Sequence, residues 1–182
     1  MAAPASPLPQ LHRPARLPRA ASARTPAADF GRYQFQVVAA DIADAVTSIG
    51  GLIFDRAMAG WDVSVVVDGD HVIDDRPVRI LGARVTLVPD RLAVLPAPQM
   101  LAVAGDVIVK SEAVRRQVLA AGEDAVTEVL LWGRAHPPSL NCKYIPVRHR
   151  PSAAAQVFKS HAMAAGGATV AEAADEGFYS MV

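Results

Sequence analysis

The fold is decided by residues 41–69, which read DIADAVTSIGGLIFDRAMAGWDVSVVVDG. In the first part of this stretch apolar residues recur at spacings of three and four. That spacing predicts a helix with one buried face, beginning at Asp41 and ending at Gly60. The run Val63–Val67 then has almost no polar alternation, which is typical of a strand covered on both faces in a parallel sheet. Residues 41–69 therefore indicate a helix-to-strand unit of an α/β protein.

Similar patterns lie on both sides of this unit. Strands are predicted at Tyr33–Val38, Val78–Leu81 and Val107–Val109, and a short helix at Gln99–Ala104. Residues 30–133 then read as strands alternating with helices. Such alternation favours a mainly parallel sheet of about five strands with helices on its faces. We therefore predict a Rossmann-like or flavodoxin-like three-layer sandwich.

Composition divides the chain into three parts. Residues 1–29 are rich in proline, alanine and arginine, and we expect a disordered leader. Residues 30–133 form the α/β domain, and residues 29–133 carry a net charge of −6. Residues 134–182 are predicted to form a basic connector, a C-terminal helix beginning near Ser152, and a frayed tail. An acidic domain therefore lies between two basic arms.

Composition also limits the class of protein. The formal net charge of the whole chain is zero, which argues against polyanion binding as the dominant role. Cys142 is the single cysteine, so no intramolecular disulfide can form, and we expect a cytoplasmic protein. No apolar run reaches 18 residues, so no transmembrane helix and no membrane partner are expected.

Common cofactor-binding and catalytic motifs are missing. The junction between the first strand and the long helix, Ala39–Ala43, has no glycine, whereas a dinucleotide-binding loop needs G-x-G-x-x-G there. There is no P-loop and no G-x-S-x-G nucleophile motif. No cofactor is evident, and Trp61 and Trp132 are interpreted as capping the core edges. Gly50 and Gly51 interrupt the helix pattern without a visible reason, since a mid-helix glycine costs about 1 kcal/mol relative to alanine.

The candidate ligand site lies beyond the Val63–Val67 strand, because ligands of open α/β sheets bind at the carboxyl ends of strands. Asp68 and Asp70 could hold Mg²⁺, with a substrate phosphate completing its ligands. The segment VSVVVDGD resembles the Asp-x-Asp element of metal-dependent sugar-nucleotide transferases, but the chain is too short for that family. The predicted ligand-binding residues are Asp68, Asp70, Asp74, Asp75, Arg76, Arg148 and Arg150. The alternatives are an ordinary acidic turn, and a basic connector that is solvated or docks on the acidic edge.

The leading hypothesis from the sequence is a non-catalytic α/β module that binds a small molecule or a protein partner in a regulatory or accessory role. The alternative is a small Mg²⁺-dependent enzyme acting on a phosphorylated or nucleotide substrate at Asp68 and Asp70. A third hypothesis is an interaction protein that binds a polyanion through its basic arms. Nucleic acid is disfavoured as a partner because the net charge is zero.

Overall fold

The computed structural model describes residues 31–67, 74–87, 97–124, 126–133, 143–168 and 175–182. The described chain forms one sheet with helices packed on it. The strands are β1 (Gln34–Ala39), β2 (Asp62–Val67), β3 (Arg84–Leu87), β4 (Met100–Ala104), β5 (Glu128–Trp132), β6 (Tyr144–His149) and β7 (Glu176–Met181). The helices are α1 (Ile42–Met58), α2 (Arg76–Ile80), α3 (Gly105–Lys110), α4 (Glu112–Glu123) and α5 (Ala153–Ala165).

The sheet has seven strands in the order β3-β2-β1-β4-β5-β7-β6. The first five in this order are parallel, whereas β7 is antiparallel to both β5 and β6. The prediction of an α/β protein with a mainly parallel sheet is confirmed. The predicted number of about five strands is too low, because the last part of the chain adds two antiparallel strands.

Helices cover both faces of the sheet. The connection β1-α1-β2 and the connection β4-α4-β5 run in opposite directions across the sheet, so right-handed crossovers place α1 and α4 on opposite faces. Gln117 of α4 donates a hydrogen bond to Gln36 of β1 at 3.0 Å. On the other face, α5 packs against α1 and α2. Within the described ranges, no helix is both long and apolar enough to cross a bilayer.

The ends of α1 follow the sequence prediction. Asp41 is the N-cap, and its carboxylate accepts a hydrogen bond from the main-chain N–H of Asp44 at 2.7 Å. After the helix, Gly60 has a φ of +87°, a backbone conformation that glycine adopts without strain. The N-cap at Asp41 and the glycine stop at Gly60 were therefore sufficient to predict both ends of α1 from the sequence.

The middle of the chain differs from the prediction. Val78–Leu81 was expected to be a strand, but α2 begins at Arg76 with Pro77 in its first turn, a position that suits proline. Residues 99–104 were expected to be a helix but contain β4, and 107–109 were expected to be a strand but lie in α3. Short apolar runs do not distinguish a fully buried strand from a buried helix by periodicity. The central position of β4, between β1 and β5, decides its conformation.

The last part of the chain joins the same sheet. Helix α5 begins where expected, with the Ser152 hydroxyl accepting a hydrogen bond from the main-chain N–H of Ala155. The basic connector contains β6, an edge strand that includes Pro146, which fits the rule that proline in a sheet is confined to its edges. Residues 176–181, where fraying was predicted, form β7, and Phe178 of that strand is buried in the core.

Candidate functional site

A cavity of about 570 Å³ lies at the carboxyl edge of the sheet. Its walls include Ala40 after β1, Gly105 after β4 and Gly133 after β5. The chain builds outward from β1 toward β3 and then crosses to β4 on the other side of β1. The carboxyl edge between β1 and β4 is therefore the topological switch point, where open α/β sheets bind ligands. We call this space the switch-point cavity, and its volume is within the usual range for small-molecule sites.

Asp44 contributes a half-buried carboxylate with a fixed orientation to this cavity. Its Oδ1 atom accepts hydrogen bonds from Trp132 Nε1 at 3.1 Å and from Ser48 Oγ at 3.0 Å. Trp132 is the last residue of β5 and is buried, so the indole links the end of β5 to the first turn of α1. The other oxygen of Asp44, Oδ2, accepts a long hydrogen bond from the main-chain N–H of Ala40 at 3.5 Å, so the carboxylate is tied to the end of β1 as well.

The cavity also contains a buried ion pair. Lys159 Nζ of α5 lies 2.6 Å from Glu176 Oε1 of β7, and the side chains are 12% and 2% exposed. The same carboxylate accepts hydrogen bonds from two successive main-chain N–H groups of α1, Gly51 at 2.7 Å and Leu52 at 2.9 Å. Three donors therefore meet on two oxygens, which fixes Lys159 in the wall of the cavity.

The glycine pair in α1 is explained by this contact. A Cβ atom at Gly51 would lie 2.6 Å from Pro151 Cγ and 2.9 Å from Glu176 Oε1, which is too close for any side chain. A Cβ at Gly50 would meet Leu81 and Lys159 side-chain atoms at 3.3 Å, a much milder contact. Gly51 is thus required by the close approach of Pro151 and Glu176.

Two further carboxylates, Asp106 and Asp175, line the switch-point cavity and are exposed. Asp106 lies in the first turn of α3, directly after the central strand β4. In the described part of the chain neither carboxylate takes part in a hydrogen bond or an ion pair. A carboxylate such as that of Asp106 is of the kind that can accept a proton from a bound molecule.

The described residues among those predicted from the sequence lie outside the switch-point cavity. Asp68 and Asp70 are outside the described residues. Asp74 accepts a hydrogen bond from the main-chain N–H of Arg76 at 2.9 Å, and Asp75 forms an exposed ion pair with Arg79 at 3.8 Å. The exposed residues Arg148 and Arg150 are on and directly after β6, at the sheet edge opposite β3. None of the described ones lines the switch-point cavity, and a ligand site at these residues stays a prediction.

Sequence reasoning missed Asp44, Asp106, Trp132 and Lys159 as site residues. Three of them follow or end a strand at the carboxyl edge, which is the signal that could have found them. The signal was hidden because β4 was predicted as a helix, so no crevice between β1 and β4 was expected. Trp132 was interpreted as a cap of the core, and it also forms part of the cavity wall.

Asp55, His149 and Ser152 form a second cluster, which anchors α5 to α1. Ser152 donates to the Asp55 carboxylate from both its Oγ (2.6 Å) and its N–H (3.0 Å), and His149 Nε2 lies 2.9 Å from Asp55 Oδ2. A nucleophilic triad needs the serine bonded to the histidine. Here the serine hydroxyl is bonded to the carboxylate, and Ser152 is also the N-cap of α5, so the cluster is structural.

The Asp55 cluster should make stability depend on acid pH. Burial opposes ionisation of Asp55, but hydrogen bonds from Ser152 and His149 outweigh it and hold the pKa of Asp55 below its ordinary value. The resulting stability is complete above the unfolded-state pKa, about 3.9, and is lost as pH falls through the lower folded-state pKa. In thermal melts from neutral to acid pH, the stability difference between wild type and Asp55→Asn should shrink as the pH falls below about 4. Asp75→Asn is the control, and a constant difference for Asp55→Asn would contradict the assignment.

The chain is similar to known proteins in its fold but not detectably in its sequence. Neither a protein-family model nor a curated protein sequence matches the chain. Among solved structures, the deacetylase of the antimicrobial A40926 pseudoaglycone is 14% identical, with a TM-score of 0.59 over 83% of this chain and 98% of that one. A deacetylase–teicoplanin complex is 12% identical, with a TM-score of 0.53 over 82% of this chain and 98% of that one. A zinc-inhibited teicoplanin deacetylase is 11% identical, with a TM-score of 0.51 over the same shares.

These similarities correct the leading hypothesis from the sequence. At such identities they establish the fold and not the activity, but the fold is one that enzymes use. The expectation of a non-catalytic module is therefore wrong. It rested on the absence of standard catalytic motifs, and such an absence does not exclude a site assembled from residues far apart in the chain.

The zinc in one of these structures raises the question of a metal in this chain. Among the described residues, no group of three His, Cys, Asp or Glu side chains is arranged to hold a metal ion. In the switch-point cavity, Asp44 Oδ1 accepts two hydrogen bonds, and the Glu176 carboxylate accepts three. Imidazole and thiolate, which zinc favours, do not occur among the described lining residues. The described cavity residues therefore do not fit a zinc centre.

Proposed function

We propose that the protein is a hydrolase that removes an acyl group from a small amine-bearing substrate held in the switch-point cavity. The observation that carries the proposal is that an exposed carboxylate, Asp106, and a positioned cation, Lys159, line the same cavity at the ligand-binding edge. The similarity of the fold to two deacetylases with TM-scores above 0.5 supports this reaction class. Water is the co-reactant.

The roles of the cavity residues follow from their chemistry. Asp106 accepts a proton from a water molecule as that water attacks the carbonyl carbon of the acylated amine. Lys159, with one donor held by Glu176, keeps other N–H donors for the negative charge that develops on the carbonyl oxygen. The C–N bond then breaks, the proton passes to the departing nitrogen, and a carboxylic acid and an amine are released. The acidic lining suits an amine that becomes cationic.

The charge of the cavity also favours one substrate class over another. Four carboxylates line it (Asp44, Asp106, Asp175 and Glu176). Lys159 is the cation among the described lining residues, and it is already paired with Glu176. A neutral or cationic substrate therefore fits better than a phosphorylated one. The partner that we propose is accordingly a small molecule.

The strand order supports a finer description of the fold. We assign β3-β2-β1-β4-β5 to the doubly wound, Rossmann-like class, whose characteristic order begins in the same way. The antiparallel pair β7-β6 is an addition at one edge. This assignment is consistent with a ligand at the switch point, without a glycine-rich phosphate loop after β1.

Acid release from a panel of N-acetylated amines, followed by NMR, tests the proposed function. We expect Asp106→Asn to lower turnover by about 10²–10⁴-fold, because the amide cannot accept the proton. The matched control is Glu128→Gln, which neutralises an exposed acid at the amino end of β5, away from the cavity. The proposal fails if folded wild type releases no acid from the panel, or if Asp106→Asn retains the activity of Glu128→Gln.

A further inference from the structure

A second cavity, of about 380 Å³, lies beside the switch-point cavity. Thr47 of α1 and Met163 of α5 line both spaces, so the two share a wall. Val67, the last residue of β2, also lines the second cavity. It therefore opens at the same carboxyl edge of the sheet.

The same two helices run along both spaces. Toward the switch-point cavity, α1 presents Asp44 and Ser48. Toward the second cavity, α1 presents Ala43 and Val46, and α5 presents Ala165 from its last turn. The cavities are consequently neighbours along the groove between α1 and α5.

The walls of the second cavity are chemically unlike those of the first. Most of its described lining residues are apolar: Ile42, Val46, Val67, Pro77, Ala162 and Met163 are among them. Asp41 and Asp74 are the acids that line it, and no lysine or arginine occurs among its described lining residues. The apolar majority of the lining matches a hydrocarbon chain, and the two carboxylates, with no cation among the described lining residues, repel a phosphate or a carboxylate group.

We infer that the second cavity receives the apolar chain of a substrate whose acylated nitrogen lies in the switch-point cavity. This inference rests on the proposed deacylation and adds the substrate class, an amine that carries a medium-length fatty acyl group. The chain extends from the carbonyl carbon past Thr47 and Met163. Short acyl groups occupy the first cavity alone, and longer ones fill both.

A homologous series of N-acyl ethanolamines with chains of two, four, six and eight carbons tests the inference. Binding to the full chain is measured by calorimetry, and acid release is followed in parallel. Because burial of a methylene contributes about 0.8 kcal/mol, each added CH₂ should tighten binding roughly threefold to fourfold until the cavity is full. Inorganic phosphate, used as a separate probe, should not compete with the long-chain members.

Two variants close the second cavity from opposite walls. Ala43→Phe places a ring from the first turn of α1, where residue 43 is exposed, and Ala165→Phe places one from α5. Ala113→Phe is the matched control, since Ala113 is an exposed residue in the first turn of α4 and lines neither cavity. Both closing variants should bind the two-carbon probe like wild type and lose the gain from longer chains.

The outcomes separate this inference from the proposed function. If the two-carbon probe binds and is hydrolysed but affinity does not rise with chain length, the inference is overturned and the deacylation proposal stands. The same conclusion follows if both closing variants keep the length dependence of Ala113→Phe. If folded protein binds none of the probes and releases no acid, both proposals fail together.

Discussion

Replacing Glu176 by glutamine is expected to lower the free energy of unfolding by about 3–5 kcal/mol, because it leaves the buried Lys159 ammonium without its counter-charge. For a chain of this size that corresponds to a fall in melting temperature of roughly 10 °C. A glutamine side chain has one oxygen to offer to three donors: Lys159 and the N–H groups of Gly51 and Leu52. At least one donor would then face the NH₂ group of the amide. Thermal and denaturant melts of the full chain measure the effect.

Two comparisons make this expectation specific. Glu112→Gln removes an exposed ion pair with Arg115 in α4, and no measurable change in stability is expected from it. Adding Lys159→Met to Glu176→Gln removes the stranded charge, so the double variant should be more stable than Glu176→Gln alone. If the double variant loses, relative to wild type, the sum of the stabilities lost by the two single variants, then the loss in Glu176→Gln does not come from the broken ion pair.

An element can be predicted from the sequence when the interactions that fix its conformation lie within a few residues of it. Helix α1, strand β2 and the start of α5 at Ser152 were predicted because caps, stops and periodicity act within a few residues. Strand β4 was mispredicted because its conformation is set by β1 and β5 on either side, and its own sequence shows no period. The fold class therefore followed from local patterns, whereas the position of the site depended on the strand order.

The candidate site shows the same limit. Asp44 is bonded to Trp132, 88 residues away, and Glu176 is bonded to Gly51, 125 residues away. No short motif marks such pairs, whereas the acidic residues near Asp68 are adjacent in the sequence and therefore visible there. Only the arrangement of the chain in space brings the carboxylates, the lysine and the indole together.

Gly51→Ala should destabilise the protein, although alanine is the better helix former by about 1 kcal/mol. The new Cβ would lie 2.6 Å from Pro151 Cγ and 2.8 Å from Pro151 Cβ. The proline ring is rigid, and the nearby Glu176 Oε1 atom at 2.9 Å is held by Lys159 and by the main-chain N–H of Gly51, so the relief must come from moving α5 or β7. Overpacking of this kind costs about 1–3 kcal/mol. We therefore expect a melting temperature lower by several degrees, measured by calorimetry.

Gly50→Ala is the matched control, because it makes the same chemical change one residue earlier in the same helix. Its Cβ would meet Leu81 Cδ1 and Lys159 Cγ at 3.3 Å, so these side chains would have to shift by only a few tenths of an ångström, less than the Pro151 ring would have to move. The gain in helix propensity should then offset the crowding, and its stability should stay close to that of wild type. Since propensity is the same for both variants, the difference between them isolates the packing of α1 against Pro151 and Glu176. Equal stabilities for the two variants would show that α1 does not approach Pro151 and Glu176 as closely as the structure has it.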